Sequence, residues 1–406
     1  MITPVMNPLT LAAGIAALFL SASLFSHTVA LRLLLLLLGI ALAAAAVVRE
    51  GRSLRILPPI WIAFALWGAW QALSLFWSYE PDRTLKELRN ELGYSAAALW
   101  ICFVGAQARN AARIILPVVG AAAVLASISA IYLFPQGIGP YSTGWHGGAG
   151  NFSSALLTMM PCLLMAGWYA GRSDAPRWQL MLITVLAALF FVDAYTTLNR
   201  TVWLGFAVQL LVLGGLMFQR RRATGNAPIR MRTKLIAGAL AVGVAAGGVA
   251  MTLRVHAERE EIGSTRALDE DPRLVLWPKI VDLMVQRPLT GYGFGRGIMR
   301  APLREEFGTY DFALWHTHNI FLEAVIQAGV PGLLLLLLLL GATLREGWRY
   351  AKDPDDAKAA AGIALIAVVA GMLMRNMTDV LWLRQNALFY WGVVGVLLAW
   401  GGRRAE

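Results

Sequence analysis

Twelve apolar stretches, each close to the length a helix needs to cross a bilayer, recur along the 406-residue chain at roughly 8–25, 29–48, 58–77, 92–107, 114–134, 152–170, 179–196, 201–218, 235–253, 319–341, 359–376 and 386–401. About 20 helical residues span the hydrocarbon core, and there the backbone must satisfy its own polar groups. The pattern predicts an all-α fold, a polytopic membrane helix bundle of about 12 transmembrane helices. With 58% apolar and only 15% charged residues, the composition excludes an ordinary soluble enzyme. Cys102 and Cys162 both fall in apolar runs, so they build neither a disulfide framework nor a thiolate metal cluster. Met1 to Thr10 holds no Lys or Arg, so the first stretch reads as a retained helix rather than a cleaved signal peptide.

The net charge of +11 is unevenly placed. Nineteen Lys and Arg lie in one set of alternate loops and seven in the other, once the long stretch 254–318 is set aside. The positive-inside rule then puts both termini in the cytoplasm and 254–318 outside. Arg220–Arg222 reads as a topology anchor, since no groove-reading motif accompanies it and no nucleic-acid partner is expected. The leucine runs 33–38 and 333–340 read as lipid-facing filler. The chain divides into 1–253, carrying spans one to nine, a structured outer loop 254–318, and 319–406, carrying spans ten to twelve.

The outer loop holds the residues with chemistry in them. Leu274, Trp277, Val281 and Met284 have amphipathic-helix spacing, with Pro278 requiring a start or a kink. Four glycines at alternate positions follow in Gly291-Tyr292-Gly293-Phe294-Gly295-Arg296-Gly297, which prevents a regular helix and allows close backbone approach. His316 and His318 flank Thr317 where the loop enters the tenth span, and Asn319 follows. Imidazole is the usual side chain for acid and base work near neutral pH, and a helix N-terminus suits an uncharged base beside an anionic ligand. The same histidines also read as polar residues marking the interface. Zinc is not expected, because His-Thr-His brings at most two ligands together and no HExxH set is present. Arg200 sits in the short connection after the seventh span, where a snorkelling interface residue is the competing reading. Arg273 opens the amphipathic segment, and Arg287 and Arg296 bracket the glycine turn. Several outward arginines suggest a phosphate or diphosphate ligand, although Glu258, Glu260, Glu261, Asp269, Glu270 and Asp271 compete for them. No Walker A sequence, G-x-S-x-G elbow or outer Asp-x-Asp pair is present, so no metal or cofactor is expected.

Four stretches resemble the bacterial O-antigen ligase and polymerase family of polytopic glycosyltransferases. They are Ser74-Leu75-Phe76-Trp77-Ser78-Tyr79-Glu80-Pro81 with Leu85; Asn199-Arg200-Thr201-Val202-Trp203; Arg273 through Gly295; and His318-Asn319-Ile320-Phe321-Leu322-Glu323 with Gly329 and Gly332. The resemblance implies a GT-C-like bundle in the bacterial inner membrane with its active site facing the periplasm. It implies a glycan donor carried on undecaprenyl diphosphate and, in the ligase branch, a lipid A-core acceptor, in an inverting transfer without metal. Arg200 and Arg273 would hold the diphosphate and His318 would accept the acceptor's proton. His316, Asn319, Arg287 and Arg296 would orient His318 or contact phosphate and sugar. The loop 135–151 lacks Lys and Arg, and no arginine in 254–318 has a glycine eleven positions on, which favours ligase over polymerase. Only Gly402–Glu406 follows the last span, which disfavours the protein O-oligosaccharyltransferase branch. From another class, a lipid-linked glycan flippase would also have many spans and a basic cavity, but no internal repeat is evident.

Overall fold

Every apolar stretch read from the sequence forms a helix in the computed structural model, which describes residues 7–50, 58–134, 149–173, 175–225, 231–261, 272–299, 316–380 and 384–403. In chain order the helices are α1 (Pro8–Ser23), α2 (Val29–Glu50), α3 (Pro58–Leu73), α4 (Pro81–Glu87), α5 (Tyr94–Gly105), α6 (Ala111–Leu133), α7 (Ala149–Ala170), α8 (Arg177–Thr196), α9 (Arg200–Ala223), α10 (Met231–Glu261), α11 (Pro272–Gln286), α12 (Ile320–Ala351), α13 (Asp356–Asn376) and α14 (Arg384–Gly401). A π-helical turn, Leu88–Gly93, joins α4 to α5. Among the described residues there is no strand, and eight helices are long and apolar enough to cross a membrane; α1 and the Gly238–Arg254 part of α10 are shorter apolar helices. The chain is an all-α polytopic membrane protein. The loop segments 135–148 and 262–271, with Asp269, Glu270 and Asp271, lie outside the described residues.

Helix α14 is the centre of the bundle. Nearly all its side chains are buried, against α1, α5, α7 and α13. Lipid offers no hydrophobic drive between helices, so small residues that let backbones approach decide which helices touch. Gly395 of α14 lies against the Leu99 and Phe103 backbone of α5, where a Cβ has no room, and Gly362 of α13 is pressed in the same way against Gly347 and Ala351 of α12. The leucine runs are not wholly filler. Leu35 and Leu36 are buried while Leu34, Leu37 and Leu38 are exposed, and Leu336, Leu339 and Leu340 are buried while Leu334, Leu337 and Leu338 are exposed. One face of each helix packs on its neighbours and the other meets lipid.

The tenth span, expected as one continuous helix, is broken. Within α12, Ala328 (φ −135°, ψ 15°) and Gly329 (φ 69°) leave helical geometry just ahead of Pro331. A broken helix frees carbonyls that need donors. Here they find them outside the helix: Tyr292 N–H donates to Ile326 O at 2.9 Å, Gly293 N–H to Gln327 O at 2.9 Å, and the Trp70 indole N–H to Ala328 O at 2.8 Å. In return Val330 N–H donates to Pro288 O at 2.7 Å, and the Trp77 indole N–H holds Thr290 O at 2.8 Å. The glycine turn therefore docks on the break. Gly329 lies against the Pro288 and Leu289 backbone, and Gly291 (φ 63°) against Gln327 and Ala328, so both positions need a residue with no Cβ and access to positive φ.

Helix α11 forms in the predicted place and runs through Pro278, with Pro272 at its start. Its buried face takes in part of the set the spacing suggested. Leu276 and Ile280 are fully buried, joined by half-buried Trp277, Leu283 and Met284, whereas Val281 is 47% exposed. Tyr292, Ile298, Met299, Ile326 and Leu322 complete this second core, so α11 and the glycine turn are clamped onto the first half of α12. The first part of the predicted loop, up to Glu261, is a continuation of α10. At the opposite end of the bundle, Asp356 bridges Arg172 and Arg220, each at 2.7 Å, and Arg220 also donates to Pro354 O at 3.0 Å. Arg220 is thus a strut between α9 and the α12–α13 connection rather than only a charge in solvent.

Candidate active site

Asn319 fixes the entry to α12. Its side-chain oxygen accepts from Phe321 N–H at 2.9 Å and Leu322 N–H at 3.2 Å, the standard cap of a helix start, while its amide donates to Met377 O at 3.3 Å. The preceding residues are held from several sides. Thr317 N–H donates to Glu323 Oε2 at 3.0 Å, Thr317 O accepts the Trp277 indole N–H at 2.9 Å, and the buried Glu323 is itself held by Gln327 at 2.7 Å. Under these constraints His318 adopts φ 53°, the left-handed region. For a non-glycine residue that conformation costs about 1–3 kcal/mol and persists only where its surroundings over-determine it.

The group that organises the two histidines comes from the turn after α13. Asp379 Oδ1 is 2.9 Å from His316 Nε2 and 3.4 Å from His318 Nδ1, and the rings lie 4.0 Å apart, centroid to centroid. Arg375, one helical turn earlier and 3% exposed, reaches Asp379 Oδ2 at 3.5 Å. Burial alone would raise the Asp379 carboxyl, but hydrogen bonds from His316 and His318 and the Arg375 charge outweigh it and hold the group well below the usual carboxylate range. An ionised carboxylate only accepts hydrogen bonds, so the ring nitrogens facing it carry protons. That assigns His318 the Nδ1–H tautomer in its neutral form, with the lone pair on Nε2.

Arg273 belongs to the same cluster. It donates to Thr378 O at 2.8 Å, beside Asp379 and within electrostatic reach of Arg375. The structure thus brings His316, His318, Asn319 and Arg273 together and adds Asp379 and Arg375, which reading the sequence missed. The available signal was an arginine and an aspartate at helical i, i+4 spacing closing an apolar span. The structure also removes the argument against a metal, since His316, His318 and Asp379 offer ligand atoms all within 4.8 Å of one another and so could hold an ion. The third ligand lies 63 residues beyond His316, far outside any local motif.

The other predicted arginines make no bond to this cluster among the described residues. Arg200 is the exposed first residue of α9, capped by Asn199, with no hydrogen bond or ion pair to the histidine cluster among the described residues. Arg287 lies over the rings of Tyr79 and Tyr292, 4.7 and 5.2 Å from their centroids, in cation–π contact. Arg296 lines a separate cavity between α4, the glycine turn and the start of α14.

Residues 185–337 match the family model described as O-Antigen ligase. The chain is also 31% identical over 137 residues to the Exopolysaccharide production protein ExoQ of Rhizobium meliloti (strain 1021), a match that covers 31% of this chain and 30% of that protein. The family match takes in Arg200, Arg273, Arg287, Arg296 and the His316–Asn319 segment, and it stops short of Arg375 and Asp379.

Proposed function

The chain is a membrane protein of the O-antigen ligase/polymerase family, and from that premise we propose that it is an O-antigen ligase at the periplasmic face of the bacterial inner membrane. It transfers polysaccharide from undecaprenyl diphosphate to lipid A-core oligosaccharide, without metal and with inversion, both termini being cytoplasmic. The observation that carries the reading is the His318–Asp379 pair beside Arg273. His318 Nε2 takes the proton of the acceptor hydroxyl as its oxygen bonds to the anomeric carbon. The bond from that carbon to the diphosphate oxygen breaks, and the lipid diphosphate leaves with its charge met by Arg273, assisted by Arg200. Asp379 keeps the ring in the required tautomer and stabilises the imidazolium that forms, the role an orienting carboxylate has beside a catalytic histidine.

Purified protein, undecaprenyl-diphosphate-linked glycan and lipid A-core in excess EDTA test the proposal. Glycan on lipid A-core with the wild type, and loss of it in His318→Ala and Arg200→Ala, is the expected result. Activity that EDTA abolishes and one divalent ion restores would move His316, His318 and Asp379 from proton transfer to metal binding. The Rhizobium relative is named for exopolysaccharide production, with no lipid A-core acceptor in that name, and this leaves a second reading within the family, a polymerase that extends lipid-linked repeats. Longer lipid-linked chains with unmodified lipid A-core would select it.

A further inference from the structure

A cavity of about 510 Å³ opens at the same end of the bundle as the histidines, yet none of its lining residues belongs to their cluster. Its size falls within the range of roughly 300–1,000 Å³ common to small-molecule sites. Three distant segments build it: Glu80, Arg83, Lys86 and Glu87 in and just before α4, Arg296 from the glycine turn, and Arg384 from the start of α14.

Part of this charge is structural. Arg83 pairs with Glu80 at 2.7 Å and donates to Gly297 O at 3.1 Å, which ties α4 to the turn. Gly295 (φ 135°) is pressed against the Glu87 side chain, which is 8% exposed. Arg384 takes the left-handed region at φ 49°, held there by its own N–H donating to Glu91 Oε2 at 2.6 Å. What remains is Lys86, Arg296 and Arg384, whose charged ends form no hydrogen bond or close ion pair among the described residues, although the charges of Arg296 and Arg384 also act on the buried Glu91. Four cations against the carboxylates of Glu80 and Glu87 leave the lining of the open cavity basic, which suits an anion, and guanidinium groups recognise phosphate oxygens in particular. The Glu87 carboxylate beside them is an acceptor, which phosphate does not need and a sugar hydroxyl does.

We propose that this cavity binds a phosphorylated sugar of the acceptor, with Arg296, Arg384 and Lys86 on the phosphate and Glu87 on a neighbouring hydroxyl. The proposal rests on the transferase reading for the word acceptor. It divides the arginines between two stations: Arg273 at the start of α11 serves the donor diphosphate, while Arg296 of the glycine turn serves the molecule that receives the glycan.

Two measurements on the full-length protein in nanodiscs test it. The first is binding of glucose 6-phosphate against glucose and inorganic phosphate. Glucose 6-phosphate should bind more tightly than either and lose that binding in Arg384→Gln and Arg296→Gln. Equal binding of inorganic phosphate overturns the sugar assignment, and binding that vanishes when phosphatidylglycerol replaces phosphatidylcholine makes the cavity a headgroup site instead. The second is transfer to lipid A-core before and after its phosphates are removed. Dephosphorylation and Arg384→Gln should each raise the acceptor KM about tenfold, the scale of one lost charge-assisted contact, and together should raise it no further. A rise in the donor KM, or penalties that multiply, overturns the proposal. Wild type that binds glucose 6-phosphate but transfers nothing to lipid A-core overturns the ligase reading and leaves the cavity as an anionic-sugar site.

Discussion

Replacing Asp379 by asparagine keeps the side-chain shape and removes the charge, so its effect on transfer can be worked from the geometry. A positive charge forming on His318, 3.4 Å from Asp379 Oδ1, is stabilised by roughly 5 kcal/mol at an effective dielectric constant of ~20. The carboxylate is shared, since Arg375 lies 3.5 Å from the other oxygen and His316 draws on Oδ1 at 2.9 Å. About half of that attraction, ~2.5 kcal/mol, is then lost on substitution, which lowers kcat by about 50- to 100-fold. The assay is single-turnover transfer at saturating donor and acceptor, with both KM values measured alongside. His318→Ala should cost about 10²–10⁴-fold, the usual worth of a general base. Because the two residues act as a unit, the double variant should be no slower than His318→Ala alone. A monodisperse Asp379→Asn protein with kcat within threefold of wild type, or a double variant whose losses multiply, would refute the orienting role.

Gly329→Ala should destabilise the protein by about 1–3 kcal/mol, because the new Cβ meets the Leu289 backbone at positive φ; detergent thermal melting reads the loss. Asp356→Asn should cost about 1–2 kcal/mol in the same assay, mainly through Arg220, whose side chain is 8% exposed, since Arg172 at 55% contributes little. Glu91 lies on the turn before α5, and burial raises its carboxyl to about 7, with the Glu87 charge adding to the rise and the Arg384 N–H, Arg384 and Arg296 opposing it. The fold thus favours the protonated form, so stability should fall as pH rises from 4.5 through about 7 and level off above, and Glu91→Gln should flatten that slope. A wild-type melting curve that is flat across this window counts against the buried placement of Glu91.

The apolar helices were legible because bilayer thickness imposes a length that hydropathy can read residue by residue, and of the twelve stretches expected to span, eight form helices long and apolar enough to do so among the described residues. What escaped depended on partners. Leucine runs look uniform until the bundle assigns them a side, and the face of α11 is ambiguous on spacing alone. Trp277 and Met284 of the expected set pack with Leu276, Ile280 and Leu283 against Ile326 and Leu322 while Val281 stays exposed, a division that only the partner helix decides. In the candidate site, the local pieces were visible, the His-Thr-His-Asn entry to α12 and the arginine that opens α11. Asp379 was not, since hydropathy registers it only as a charge at the end of a span and its role exists only once α13 stands beside α12.

The break in α12 shows why such information is nonlocal and what it accomplishes. Gly329 and Pro331 permit a break, but on their own they would leave the Ile326, Gln327 and Ala328 carbonyls without donors in an apolar bundle. The donors come from Trp70 and from Tyr292 and Gly293, in a turn whose glycines are there to reach that backbone. The same docking fixes Arg287 against Tyr79 and Tyr292, sets Arg296 at the cavity beside α4, and presses α11 onto α12 so that Trp277 can hold Thr317 between the two histidines. A continuous tenth helix would need none of these contacts. The repair of a broken span and the placement of the charged and catalytic groups are therefore one event, and weakening the dock at Gly291 or Gly329 should impair both the histidine cluster and the cavity before it unfolds the bundle.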